Sequence, residues 1–221
     1  MKVIIFGATG MIGQGVLREC LLDDEIETVL SVGRSVTGVQ HDKLCEVVHD
    51  DFEDFSAIED ILAGYDACLY CLGVSSTGMS EEEYHRITFG FTRAAAETLV
   101  KLNPAMTFGY ISGAGTDSSG QGGQMWARVK GKTENMLLGL PFKSAHMFRP
   151  AYIQPLNGIV SKTKLYRVMY KVLGNLYPLL KLLFPKSVTT TEILGRAMLK
   201  AAKKGFPKQI LEAADINNIG L

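Results

Sequence analysis

Three glycines, Gly7, Gly10 and Gly13, follow a β-branched apolar run, Lys2–Phe6, and open a segment with helical periodicity, Met11–Leu22. The stretch reads Gly7-Ala8-Thr9-Gly10-Met11-Ile12-Gly13, a GxxGxxG spacing. A strand that turns sharply into a helix needs residues without side chains at the turn. Glycine there also lets the backbone approach a ligand and lets the helix pack closely on a sheet. The ligand such a turn suits is anionic, because a helix begins with unpaired N–H groups and the positive end of its dipole. A pyrophosphate fits, so Gly7, Thr9, Gly10, Met11, Ile12 and Gly13 are expected to hold a dinucleotide. Plain turn chemistry is the alternative, and the strand before and helix after the loop favour the ligand.

The next residues with chemistry stand where the second apolar run ends, Ser31-Val32-Gly33-Arg34-Ser35. NAD-selective sites usually place an acid at that tip, to bind the ribose 2′-hydroxyl. Here there is none. Glu27 lies at the start of the run, far from the ligand. Arg34 can meet a 2′-phosphate through two parallel hydrogen bonds. NADP is therefore expected rather than NAD, with Arg34 as an ordinary solvated loop residue the alternative.

These groups need a scaffold. Residues 2–6, 27–33, 44–49, 66–72, 106–112 and 144–148 read as strands, and 52–62, 81–102, 124–138 and 191–204 as amphipathic helices. Ser80 is placed to cap the helix from Glu81, with three glutamates in its first turn. Residues 161–184 read as helix broken at Pro178. Strand and helix alternate, so the expected fold is a doubly wound parallel α/β sheet, a Rossmann NAD(P)-binding fold. One domain is expected over 1–221, with a small helical substrate region at about 150–190.

Further residues carry a resemblance. Gly7–Gly13, Val48-His49-Asp50-Asp51-Phe52, Cys71-Leu72-Gly73, Ser112 and Lys130 fall in the order seen in atypical short-chain dehydrogenase/reductases. The chain resembles the NmrA-like and Tat-interacting-protein-like branch most, among relatives of the NAD-dependent epimerase/dehydratases. The likeness runs from Met1 to about Pro155 and continues more weakly. It implies that Asp51 and Phe52 border the adenine, and that Leu72 and Gly73 line the adenosine and ribose. It implies that Ser112 holds the substrate oxygen. Lys130 would bind the nicotinamide ribose and lower the pKa of a neighbouring tyrosine. Arg149-Pro150 would stand ahead of the substrate region. The implied activity is oxidoreductase or epimerase-like chemistry on a small carbonyl or hydroxyl compound.

One position departs. The family's acid/base tyrosine precedes the lysine by four residues, one helical turn, so that both face the nicotinamide. Here the segment is Trp126-Ala127-Arg128-Val129-Lys130. Indole donates a hydrogen bond but exchanges no proton near neutral pH. A protein that binds NADP as a regulator or sensor with little turnover is thus the second reading. In the first, Ser118, Ser119, Tyr152 or Tyr84 would supply the proton. Ser112 also reads as a strand-end serine that satisfies backbone, Lys130 as a solvated helix lysine, and Trp126 as a packing residue.

Composition excludes other classes. With 221 residues, 47% of them hydrophobic, and no formal net charge, the chain can bury a sizeable core and lacks the positive excess that duplex binding needs. The N-terminus does not read as a signal peptide. Cys68 and Cys71 have CxxC spacing, but in a strand residues three apart face opposite sides, so the thiols diverge. No metal site is expected from the cysteines, nor from His41, His49, His85 and His146. A reduced, cytoplasmic protein fits.

The neutral total hides an asymmetry. No Asp or Glu lies between Glu134 and Glu192, while eight Lys and Arg do. Residues 165–184 add a run of Leu, Tyr, Met, Val and Phe. As a substrate cap this region suits an anionic or amphiphilic small molecule. Peripheral membrane contact through 162–186, a subunit interface such as a homodimer, and an ordinary core helix with solvated lysines are the other readings.

Overall fold

The computed structural model describes residues 1–160, 174 and 176–221. The expected helix over 161–184 thus lies largely outside the described residues. The strands are β1 (Lys2–Phe6), β2 (Thr28–Gly33), β3 (Leu44–Val48), β4 (Ala67–Tyr70), β5 (Thr107–Ile111), β6 (Ser144–Arg149), β7 (Tyr152–Gln154), β8 (Val188–Thr190) and β9 (Ile210–Glu212). The helices are α1 (Met11–Leu22), α2 (Glu59–Leu62), α3 (Glu81–His85), α4 (Phe91–Leu102), α5 (Met125–Gly139), α6 (described over 176–183), α7 (Thr191–Lys204) and α8 (Ala213–Gly220).

Seven strands form one all-parallel sheet in the order β3-β2-β1-β4-β5-β6-β9. This is the doubly wound Rossmann-type sheet, with one strand more than the six read from the sequence. β7 and β8 pair separately, also in parallel. Successive residues of each strand enter opposite cores. Val3 and Ile5 join α1 and α7 on one face, and Ile4 and Phe6 join α4 and α5 on the other. β4 does the same, so Cys68 belongs to one core and Cys71 packs against the other. All four cysteines are free.

Three segments differ from expectation for physical reasons. Residues 52–62 are not one helix but a 3₁₀ turn, Ser56–Ile58, followed by α2. The Asp51 and Asp54 carboxylates accept from the backbone N–H groups of Glu53 and Ser56 at 2.9 Å each, which competes with helix formation. Phe52 and Phe55 each meet the Phe6 ring edge-on. The helix over 81–102 is continuous but carries a π turn at Arg86–Gly90. Its buried residues Tyr84, Thr88 and Thr92 are spaced by four, more than the 3.6 of an α-helix, and a wider turn keeps them on the sheet. The break expected at Pro178 is not there, because α6 runs through it.

Helix ends follow sequence rules. Ser80 accepts from the Glu83 N–H at 3.1 Å, and Thr190 from the Ile193 N–H at 3.1 Å. Thr190→Ala is expected to cost about 1 kcal/mol, the usual worth of an N-cap, in urea unfolding monitored by circular dichroism. A cost below a few tenths would mean that neither the cap bond nor the buried methyl contributes to stability.

Candidate functional site

The strand order reverses between β1 and β4, and a cleft of about 610 Å³ opens at the carboxyl ends of those strands. Doubly wound sheets bind ligands at that position. Gly7 ends β1 with φ +80°, and a Cβ on it would stand 2.7 Å from the Leu72 backbone nitrogen. The turn closes by a Gly10 N–H to Gly7 carbonyl bond of 2.9 Å. Gly10 then opens α1 with no side chain capping it, leaving that helix end to a ligand. Gly13 works differently from the other two. A Cβ there would be 2.1 Å from the Gly7 carbonyl oxygen, so it seats α1 against the turn and does not line the cleft.

Most of the expected residues meet here. Gly7, Thr9, Gly10, Met11 and Ile12 form one wall, and Leu72 and Gly73 the facing one. Arg34 and Ser35 stand at one end, Ser112 and Lys130 at the other. Arg34 is exposed and makes no ion pair among the described residues. Phe52 reaches the cleft from a buried aromatic group with Phe6, Phe55 and Phe91. Asp51 does not line it; it is exposed and turned to the Glu53 N–H. Sequence reasoning missed Ser35, Cys71, Val74, Ser75 and Ile153. Ser35 was within reach, as the neighbour of Arg34. Ile153 was not, because β7 has only three residues.

Lys130 reaches the cleft from α5 and donates to the Ile111 carbonyl at 3.0 Å. Its ammonium lies 5.1 Å from the centre of the Tyr110 ring. Burial brings its pKa down to about 8, against the opposing pull of Glu134 one turn on. Ser112 is buried, and its hydroxyl donates to the Phe148 carbonyl at 3.1 Å. Trp126, one turn before Lys130, stays off the cleft wall. Its indole covers the loop after β5, where a Cβ on Gly115 would be 3.7 Å from it. None of the other proton donors considered lines the cleft. Ser118 donates to Glu134 and Ser119 to Asp117; the Tyr152 hydroxyl donates to Gln154, and Tyr84 is buried.

Arg149 is held by structure. It donates to Glu134 Oε1 at 3.0 Å, Ser118 Oγ at 2.6 Å and Glu212 Oε1 at 3.3 Å. Glu134 raises its pKa further. A second cavity, about 480 Å³ and mostly apolar, shares Thr9 with the cleft and runs along α1 to Ile159.

A glycine turn at the switch point, an uncapped helix facing a long cleft and a half-buried lysine at its far end define a Rossmann NAD(P)-binding protein. Residues 3–123 match the model of the NAD dependent epimerase/dehydratase family, and the chain belongs to that family. Its relatives include Protein HTATIP2 of Rattus norvegicus, 26% identical over 154 residues, 69% of this chain and 62% of the relative. Protein FMP52-2, mitochondrial, of Scheffersomyces stipitis is 27% identical over 152 residues, 67% of this chain and 65% of the relative. The match thus spans under two thirds of either relative. An oxidoreductase of the short-chain dehydrogenase/reductase family from Burkholderia thailandensis shares the fold, with TM-score 0.71 and 16% identity over 98% of this chain and 92% of that one. No helix among the described residues is long and apolar enough to cross a membrane.

Proposed function

We propose that this chain binds NADP and acts as an oxidoreductase or epimerase-like enzyme on a small carbonyl or hydroxyl compound. The observation that carries the cofactor choice is Arg34, a cation with no ion pair among the described residues, at one end of the cleft where β2 ends without an acid. The glycine turn and the uncapped end of α1 suit the pyrophosphate. Leu72 and Gly73 suit the adenosine and ribose, with Asp51 and Phe52 towards the adenine. When bound, the dinucleotide supplies or accepts a hydride. Lys130 holds the nicotinamide ribose, and Ser112 orients the substrate oxygen once it gives up the Phe148 carbonyl. One domain over 1–221 and a cytoplasmic location go with this reading; the four free cysteines support a reducing compartment.

A second reading is favoured by Trp126, a binding protein with little turnover. The position that carries a tyrosine in the resembling family holds an indole turned onto Gly113 and Gly115.

The cofactor part is tested by calorimetric titration with NADPH and NADH. NADPH is expected to bind about 10-fold tighter or better, since hydrogen bonds between charged groups are worth about 1.5–3 kcal/mol and 1.4 kcal/mol is tenfold. Arg34→Ala is expected to remove that advantage and leave NADH unchanged. Equal affinities in the wild type would overturn the NADP assignment. Binding of neither nucleotide would sink both readings.

A further inference from the structure

Helix α6 is amphipathic the wrong way round. Leu176, Leu179 and Leu183 stand at i, i+3 and i+7, one face of the helix, with Leu182 beside them. All four, and Phe184 just beyond, are 46–78% exposed. The half-buried residues are Tyr177, on the opposite side, and Leu180, which borders the stripe beside Leu176. Elsewhere exposed large apolar residues are mostly scattered, as on any soluble protein, but five within nine residues form a patch that calls for a partner.

The charges around the patch say which partner. Lys181 stands on the opposite, polar face of the helix, 5.9 Å from the Tyr177 ring centre, and Lys186 just beyond the patch; both are exposed. From 176 to 187 the chain carries two Lys and no Asp or Glu. A second copy of the same surface would bring these like charges together. An anionic surface would not, and a helix with long apolar side chains on one face and lysine on the other suits the boundary between headgroups and acyl chains.

We infer that α6 docks the protein peripherally on an anionic lipid membrane, the leucine stripe entering the acyl boundary and the lysines meeting the headgroups. Ile153 of β7 lines the cleft, β7 pairs with β8, and α6 precedes β8, so the docked helix is joined to the cleft wall. The inference does not depend on the cofactor assignment.

The test is co-sedimentation of the full chain with vesicles of phosphatidylcholine alone, and with about three tenths phosphatidylglycerol. Binding is expected to be about 10-fold or more tighter on the anionic vesicles and to weaken in high salt, since each basic residue near such a surface adds to the attraction. Leu179→Glu with Leu183→Glu should abolish it, and Lys181→Glu with Lys186→Glu should erase the preference for anionic lipid, both with unchanged thermal unfolding. If the leucine pair fails to fold, the lysine pair decides alone. No binding by the wild type, or equal binding to both vesicles, would overturn the inference. So would a concentration-dependent dimer in sedimentation velocity that the leucine pair dissolves without any effect of vesicles.

Discussion

Trp126→Tyr is expected to raise NADPH-dependent reduction of small carbonyl compounds by about 10²–10⁴-fold, the usual worth of general acid–base catalysis. The position is one helical turn before Lys130, and the indole lies against the loop that follows Ser112. A phenol there exchanges a proton, which an indole does not. The neighbouring ammonium, held near pH 8 by burial, would favour the phenolate. NADPH binding should be unchanged, so the effect should fall on kcat. NADPH oxidation across a panel of aldehydes and ketones, wild type beside variant, is the measurement. A wild type that turns over briskly would show that no tyrosine is needed. No gain, together with a kcat/KM profile breaking near pH 8, would assign the proton to Lys130 itself. No turnover by either protein would favour the binding-protein reading.

Glu134→Ala should be strongly destabilising, costing about 3–5 kcal/mol, because it strands a buried guanidinium. Glu134 is fully buried and the Arg149 side chain is 12% exposed. Their bond crosses from α5 to the end of β6. Removing both charges should cost much less, since a buried pair is often replaceable by apolar residues of similar volume. Glu134→Leu with Arg149→Met is therefore expected to be more stable than Glu134→Ala in urea unfolding. A cost below about 1 kcal/mol for the single change would show that Glu212 and solvent hold Arg149 well enough. The same change should lower the pKa of Lys130 further, since Glu134 is the charge that supports its ammonium.

The sequence was readable where pattern and burial coincide. β1 is a continuous apolar run because both its faces are covered, and the glycines after it can serve only a tight approach. Arg34 was legible as an absence, the missing acid at the tip of β2. Segments with too few residues to show a period were not. β7, β8 and β9 have three residues each, and β9 adds a seventh strand with one buried side chain, Leu211. Residues 52–62 misled because apolar spacing suited a helix while Asp51 and Asp54 bonded the backbone locally. Asp51, expected at the adenine, turns its carboxylate to its own loop for the same reason. In the cleft, the spacing of Trp126 and Lys130 was plain, but not that the indole turns onto Gly113 and Gly115. Nor could spacing show that Arg149 belongs to Glu134, since the two meet only when α5 lies against β6.

The order in which strands join the sheet also bears on synthesis. β1–β5 all lie before residue 112, and the next partner of β5, β6, begins at Ser144. At ~5–20 residues per second, that stretch takes a growing chain about 2–6 s. During that time β5, whose five residues are all buried in the finished protein, is an open sheet edge. An edge of this kind pairs readily with other chains. Yield on expression should therefore respond to translation speed across residues 112–143, even for changes that leave the folded protein untouched.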